Sequence, residues 1–195
     1  CGGDFSMKKH LHILILGLFL CLYGCSTDRP SVSETENVFE TIEGSRENGY
    51  QIKDLTWGMS EDEVRQAINQ EGLESDSDRL ILNSSEGDDF QHVKIYRFED
   101  ETKSNLITVE YTWTVASEDS FQSVVDSLCE YAAQQMETPD SGNDLTKEEL
   151  LEMNTAAWTA SDNSRVNILL SSDHKSVSVQ INGPREVPKT LMPSG

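Results

Sequence analysis

The pattern of apolar and polar positions predicts an α+β fold. Apolar residues recur three or four positions apart over 60–72 and 117–136, the spacing of amphipathic helices. Over 106–115 they alternate with threonine and glutamate, which predicts a strand with one wet face. Shorter strand patterns occupy 79–83, 93–98, 156–161, 166–171 and 177–182. Helices therefore alternate with runs of strands.

Capping residues set the starts of these helices. Ser60 and Glu63 stand three residues apart before an apolar stripe, which predicts a capping box. Thr146 and Glu149 repeat the spacing and predict a short extra helix. Gly72 is placed to end the first helix.

An internal repeat is visible at an offset of 57 residues. Ser60-Glu61-Asp62 and Ser117-Glu118-Asp119 both open helices, and each helix precedes three predicted strands. We therefore expect one domain over 50–183, made of two helix–three-strand repeats, about 55–115 and 117–182. Each half is small for a core, so the halves are expected to share one antiparallel sheet.

The segment before the domain has the layout of an export signal. Met7-Lys8-Lys9 precedes an apolar run that ends at Cys25, shorter than the roughly 20 residues of a bilayer span. Leu22-Tyr23-Gly24-Cys25 resembles the bacterial lipobox. That resemblance implies that 7–24 are a signal peptide, cut between Gly24 and Cys25, and that Cys25 carries diacylglycerol and palmitate. An uncleaved N-terminal anchor is the alternative.

Three further segments are interpreted as lying outside the fold. One back-translation of residues 1–6 contains GGAGGUGAU, a ribosome-binding sequence, so we interpret them as a translated leader from a bacterium. Residues 25–49 are polar and acidic, which predicts a flexible tether, with a short docked turn near Val38 as a further option. Residues 184–195 have no pattern and predict an extended tail.

Charge and cysteine usage narrow the classes of function. The chain carries 15 basic and 35 acidic residues, a formal charge of −20. Losing Asp4, Lys8 and Lys9 with the signal would leave 13 basic and 34 acidic residues, a charge of −21. Such a surface repels nucleic acid, so no nucleic-acid partner is expected. Cys129 alone would remain unmodified, which predicts a core thiol rather than a disulfide framework.

A family resemblance appears at the entry to the first helix. Trp57-Gly58-Met59-Ser60 followed by Glu63-Val64 resembles the Gly-x-Ser-x-x-x-Val start of SmpA/BamE lipoproteins and of tandem β-lactamase-inhibitor-protein-like domains. The resemblance extends over about residues 52–182. It implies helices on one face of an antiparallel sheet and protein binding through the open face. It brings no catalytic residues.

Candidate chemistry is sparse. The sequence has no nucleophile elbow, phosphate loop or zinc helix, and we expect no enzyme, metal or cofactor. Acidic clusters at 76–78, 88–89 and 140–144 are interpreted as turns rather than calcium sites. Two alternatives stay open: an envelope hydrolase that uses His92 or His174, and a small-ligand sensor with an enclosed apolar pocket.

The leading expectation is a membrane-anchored extracytoplasmic lipoprotein that binds a protein of the cell envelope. Trp113 and Tyr96 are most simply core residues of the sheet. Either could instead face outward and anchor a partner, because aromatic residues dominate interface energetics.

Overall fold

The computed structural model describes residues 37–85 and 90–185, which form an α+β structure. A 3-10 turn at Val38–Thr41 leads into the hairpin of β1 (Ile42–Ser45) and β2 (Gly49–Ile52). Then follow α1 (Glu61–Ile68), β3 (Leu73–Asp76), β4 (Arg79–Ser85), β5 (Phe90–Phe98) and β6 (Leu106–Val115). The order ends with α2 (Glu118–Gln135), α3 (Lys147–Met153), β7 (Thr155–Thr159), β8 (Arg165–Leu170) and β9 (Ser176–Asn182).

Seven strands form one antiparallel sheet in the order β3-β4-β5-β6-β9-β8-β7, and β1 pairs only with β2. The two halves of the chain meet at the centre, where β6 and β9 pair from Thr108↔Asn182 to Thr114↔Ser176. The strands of both halves therefore belong to one sheet, as predicted.

Local capping explains where the helices begin. Both the amide and the hydroxyl of Ser60 donate to Glu63 Oε2 at 2.8 Å, and the predicted capping box is present. The hydroxyl of Thr146 accepts from the Glu149 amide at 3.1 Å at the start of α3. The end of α1 differs from the prediction, because Asn69 rather than Gly72 is the left-handed cap, at φ 47°.

The core lies on one face of the sheet, beneath α2. Phe121, Val124, Val125 and Leu128 form the buried stripe of α2, and α2 contacts both β6 and β9. On β6 the odd-numbered residues from Val109 to Val115 are buried on this face, and we call it the core face. The even-numbered residues point the other way, because side chains alternate along a strand.

The folded domain begins earlier in the chain than the predicted residue 50. Val38 and Phe39 are fully buried, and the Phe39 ring meets Trp158 edge-on at 6.4 Å. The Tyr50 amide donates to the buried Ser164 hydroxyl at 2.6 Å. From residue 38 onward the segment assigned to a tether over 25–49 is instead folded, as the option of a short docked turn near Val38 allowed, because it buries apolar side chains. Residues 1–36 and 186–195, with the leader, signal, lipobox and most of the tail, lie outside the described residues.

The predicted order of elements was also inexact in the first half. The short strand β3 makes four strands after α1 instead of three, and it carries two acidic residues and one leucine, too little pattern to recognise. The second half follows the prediction, because the short extra helix expected at Thr146 is present as α3 before the three strands. No helix within the described ranges is both long and apolar enough to cross a membrane.

Candidate binding surface

We call the face of the sheet opposite the core face, which carries the even-numbered residues of β6, the open face. On this face Ile81 of β4 pairs with Ile95 of β5, and Val93 lies two residues before Ile95 on β5. These three side chains are half-buried and form an apolar strip. Neighbouring residues on one face of adjacent strands lie within contact distance, so the strip is continuous.

An ion pair borders the strip on its β6 side. Arg97 Nη2 lies 2.8 Å from Glu110 Oε2, and the Glu110 side chain is only 10% exposed. The Thr112 hydroxyl donates to the other Glu110 oxygen at 3.3 Å. The carboxylate is therefore held in a fixed position beside the apolar strip.

Elsewhere on the open face, polar side chains of β6 and β9 hydrogen-bond to one another. Thr112 and Ser178 hydroxyls lie 3.0 Å apart, and the Thr108 hydroxyl donates to Asn182 Oδ1 at 3.0 Å. Leu169, on β8, is 37% exposed on the same face. The open face thus combines an apolar strip with hydroxyl and amide groups at fixed positions.

Trp113 and Tyr96 are core residues, as the simpler interpretation of the sequence expected, and the alternative of outward anchors is wrong. Both side chains are fully buried on the core face. Trp113 stacks on His92 at 5.2 Å between ring centroids, and Lys94 Nζ lies 5.5 Å from the Tyr96 ring centroid. Alternation places them behind the sheet, while Val93 and Ile95 face outward. The residues that the sequence interpretation missed were therefore Val93 and Ile95, the neighbours of Tyr96 on β5.

The segment Trp57-Gly58-Met59-Ser60, which we call the entry motif, is hydrogen-bonded to the start of β6. The Gly58 amide donates to the Leu106 carbonyl at 3.0 Å, and the Leu106 amide donates to the Met59 carbonyl at 2.7 Å. Trp57 Nε1 donates to the Tyr50 carbonyl at 2.8 Å. Gly58 has φ +89°, as the turn requires, but a Cβ there would touch nothing. Lack of space is therefore not the reason for a glycine at this position.

The two histidines occupy different surroundings. His174 lies in the β8–β9 turn at φ 55°, with Nδ1 3.1 Å from Glu118 Oε2 and its ring stacked on Phe121 at 4.6 Å. The side chains of His174 and Glu118 are 39% and 57% exposed. His92 stacks beside two aromatic rings of β6, with centroid distances of 6.1 Å to Tyr111 and 5.2 Å to Trp113. A hydrolase built on His174 would have to work at an exposed turn.

Cys129 and Asp140 have structural surroundings, while the acidic cluster at 88–89 lies outside the described residues. Burial, reinforced by Asp126, raises the pKa of the Cys129 thiol to about 11, which keeps it protonated at neutral pH. Asp140 accepts from Thr159 and pairs with Arg46 at 2.9 Å. Over the two described ranges, no three acidic, histidine or cysteine residues are grouped as metal ligands would be.

Two cavities open at the surface. One, of about 500 Å³, lies at the end of α2 and is lined partly by Met136, Pro139 and Leu145. The second, of about 200 Å³, lies between α1 and β5, and Lys94 and Tyr96 are among its lining residues. We call the second the Lys94 pocket.

These features define an α+β domain with one open sheet face and a small pocket on the other side of β5. Comparisons with protein-family models, curated proteins and solved structures find no match to this chain. Function must therefore be argued from the surfaces themselves.

Proposed function

We propose that this chain is a lipid-anchored extracytoplasmic lipoprotein that acts as a protein-binding module of the bacterial cell envelope. The open face is the observation that carries the binding role. It offers Ile81, Val93 and Ile95 as an apolar centre and the surrounding hydroxyl and amide groups as a polar rim, the usual anatomy of an interface. The anchor rests on the lipobox-like sequence at Cys25.

The finer fold proposal is a SmpA/BamE-like or tandem-inhibitor-like arrangement with helices on one face. Two features support it. The strands β4–β6 and β7–β9 are both antiparallel meanders, and their last strands, β6 and β9, pair at the centre of the sheet. Ser60 and Ser117 cap the helix that opens each half. A related pair of halves is the simplest origin of both features.

The partner is expected to carry a basic rim around an apolar patch. The chain has a formal charge of −20, so electrostatic complementarity favours a basic surface and raises the association rate. The Arg97–Glu110 pair beside the strip would fix the orientation of the partner.

Affinity capture from detergent-solubilised envelopes tests the proposal. The strip variant Ile81→Thr/Ile95→Thr keeps β-branched residues and removes apolar area. Leu169→Thr is the matched control, because it makes the same kind of change at the far side of the open face. We expect a partner captured by the wild type and by Leu169→Thr to be lost from the strip variant, with the melting temperature of all three proteins compared. Equal capture by the strip variant would contradict the assignment.

The anchor has a separate test. Cys25→Ala should abolish labelling by a palmitate analogue and leave an unprocessed precursor. A wild-type protein that never labels would remove the lipobox interpretation and favour an uncleaved anchor or an ordinary signal, while leaving the open face to be judged by capture.

A further inference from the structure

The open face differs in charge from the rest of the chain. Three arginines lie on this face of the strands: Arg79, Arg97 and Arg165. Three carboxylates share it: Glu74, Asp76 and Glu110. Within the described strands the face therefore has a formal charge of zero, in a chain whose formal charge is −20. A neutral face does not repel the same face of a second copy of an acidic protein.

One half of the open face, on β3–β5, is acidic at its edge and apolar beside it. Glu74 and Asp76 lie on the edge strand β3, and both are exposed. Arg79 is shared between two carboxylates, Asp76 at 3.0 Å and Asp78 at 3.6 Å, so the edge keeps an excess of negative charge. The apolar strip lies on the next two strands, β4 and β5.

The other half carries an exposed cation and an exposed apolar side chain, both on β8. Arg165 is exposed, and its cross-strand neighbours, Asn182 and Thr159, are uncharged. Leu169, on the same strand, is 37% exposed. Each half therefore presents groups that complement the other half: a cation for the acidic edge and an apolar side chain for the strip. Within one copy the two halves lie side by side in one sheet and cannot face each other.

A two-fold axis along β6 would bring the two halves of different copies together. β6 is the fourth of the seven strands and therefore the centre of the sheet. Rotation about this axis places β8 of one copy over β4 of the other and leaves positions along the strands unchanged. The strand register puts Leu169 level with Val93, and Arg165 level with Asp76. Sheets that pack face to face lie about 10 Å apart, a gap that side chains from both sheets fill.

We propose that two copies of the chain associate through their open faces about this axis. Leu169 of each copy packs against the apolar strip of the other, and Arg165 of each pairs with Glu74 and Asp76 of the other. Both contacts occur twice, as a two-fold interface requires. The inference rests on the proposed role of the open face as an interface and names a second copy as one of its occupants. The copy and the envelope partner use the same surface and therefore exclude each other.

The area of the open face is close to that of a specific interface. Seven strands spaced about 4.8 Å apart are roughly 29 Å across, and their mean length of about 7 residues gives roughly 23 Å along the strands. The contact would cover roughly 650 Å² per copy, compared with the roughly 800 Å² per partner of a standard interface. A dimer that forms and dissociates reversibly at micromolar concentration follows from this size.

Sedimentation equilibrium of the full-length protein tests the proposal. The protein is held in a non-ionic detergent matched to the density of the solvent, with micelles in excess over protein. An ionic strength of about 0.15 M limits interactions between exposed charges to about 8 Å, so that the charges on the far sides of two acidic copies do not oppose association. We expect a reversible equilibrium between monomer and dimer.

Two variants on β8 assign the contact. Leu169→Thr removes the apolar group that meets the strip of the other copy, and Arg165→Glu places a negative charge against its acidic edge. Each should raise the dissociation constant of the dimer at least tenfold without changing the melting temperature of the monomer. Met153→Thr is the control. Met153 is 59% exposed on α3, outside the open face, so this variant should dimerise like the wild type.

A charge swap separates the contact from structural effects of the substitutions. Glu74→Arg should weaken the dimer in the same way as Arg165→Glu, because each variant places like charges together. Mixed in equal amounts, the two variants should form a dimer with close to wild-type affinity, since each arginine then meets a carboxylate again. A variant that had lost its fold would not recover on mixing.

Each contrary result overturns the proposal. A wild-type protein that stays monomeric at hundred-micromolar concentration would remove the dimer, and an assembly larger than a dimer would remove the closed two-fold contact. Dimerisation that survived both Leu169→Thr and Arg165→Glu would lie on another surface. No gain in affinity on mixing the charge-swapped variants would refute the pairing of β8 with the acidic edge.

The proposed function fails separately. A monomeric wild type that captures an envelope partner would refute only the dimer, and a dimer for which no partner is captured would refute only the envelope partner. Leu169→Thr distinguishes the two roles in a single variant, because it should weaken the dimer while partner capture is retained.

Discussion

Gly183 provides a test of how the residue after β9 packs against Trp57 of the entry motif. A Cβ built on Gly183 would lie 2.7 Å from Cδ2 and 2.9 Å from Cγ of the half-buried Trp57 ring. The φ of Gly183 lies outside the left-handed region, so alanine is allowed by the backbone. The Gly183 amide also donates to the Ile107 carbonyl at 2.9 Å, which keeps the backbone from moving away.

We therefore expect Gly183→Ala to destabilise the protein by steric overpacking alone. Overpacking typically costs about 1–3 kcal/mol of unfolding free energy. For a protein of this size, a loss of about 2 kcal/mol corresponds to a fall in melting temperature of roughly 4–8 °C. Thermal unfolding followed by circular dichroism measures the change.

A second substitution separates the ring clash from other causes. In a Trp57→Leu background the clash is relieved, so Gly183→Ala should then cost less than about 0.5 kcal/mol of unfolding free energy. The difference between the two backgrounds is the coupling between the two residues, and it lies within the range known for contacting residues. Gly58→Ala is the control. Its cost of about 1–2 kcal/mol comes from φ +89° with no steric contact, so Trp57→Leu should not rescue it. If Gly183→Ala were harmless, or equally costly in both backgrounds, the packing of Trp57 on Gly183 would be refuted.

Two further predictions concern titratable groups. Ser60→Ala should lower the free energy of unfolding by about 0.5–2 kcal/mol at pH 7 in a chemical denaturation series. Hydrogen bonds from the Ser60 amide, and then from its hydroxyl, hold the pKa of Glu63 below the ordinary 4.5. The part of the lost stability that comes from this carboxylate is therefore present above pH 4.5, and it disappears as the pH falls through the lowered pKa of Glu63. A loss that stays constant down to pH 2 would contradict the role of the carboxylate. Cys129 should resist alkylation by iodoacetamide at pH 8 in the native protein and react after denaturation, as mapped by mass spectrometry, because burial raises its pKa to about 11. Rapid native labelling of Cys129 would show that the thiol is accessible.

Several elements could be predicted from the sequence because their signals are local. The strand 106–115 was predicted with the bounds of β6, since period-two alternation is visible within one strand. The helix starts at Ser60, Ser117 and Thr146 are also as predicted, because a cap involves residues only three apart.

The binding surfaces could not be predicted in the same way. Apolar residues on both sides of β5 leave the sequence without a sign of which side of that strand is buried, so the outward-facing Ile95 was overlooked. An outward anchor at Tyr96 or Trp113 stayed open as an alternative to the core positions that both side chains occupy. The docking of Phe39 on Trp158 joins residues more than a hundred positions apart, and no local pattern records it.

The sequence by itself determined the local properties of this protein: the helix caps, the alternation within β6, the acidic charge, and the signal-like segment with Cys25. These follow from spacing and composition over a few residues. Only the tertiary structure decided that β6 pairs with β9, that the open face presents Ile81, Val93 and Ile95, and that Lys94 borders a pocket. The reason is physical: alternation along a strand creates two faces, but only packing against α2 and the N-terminal segment determines which face is buried.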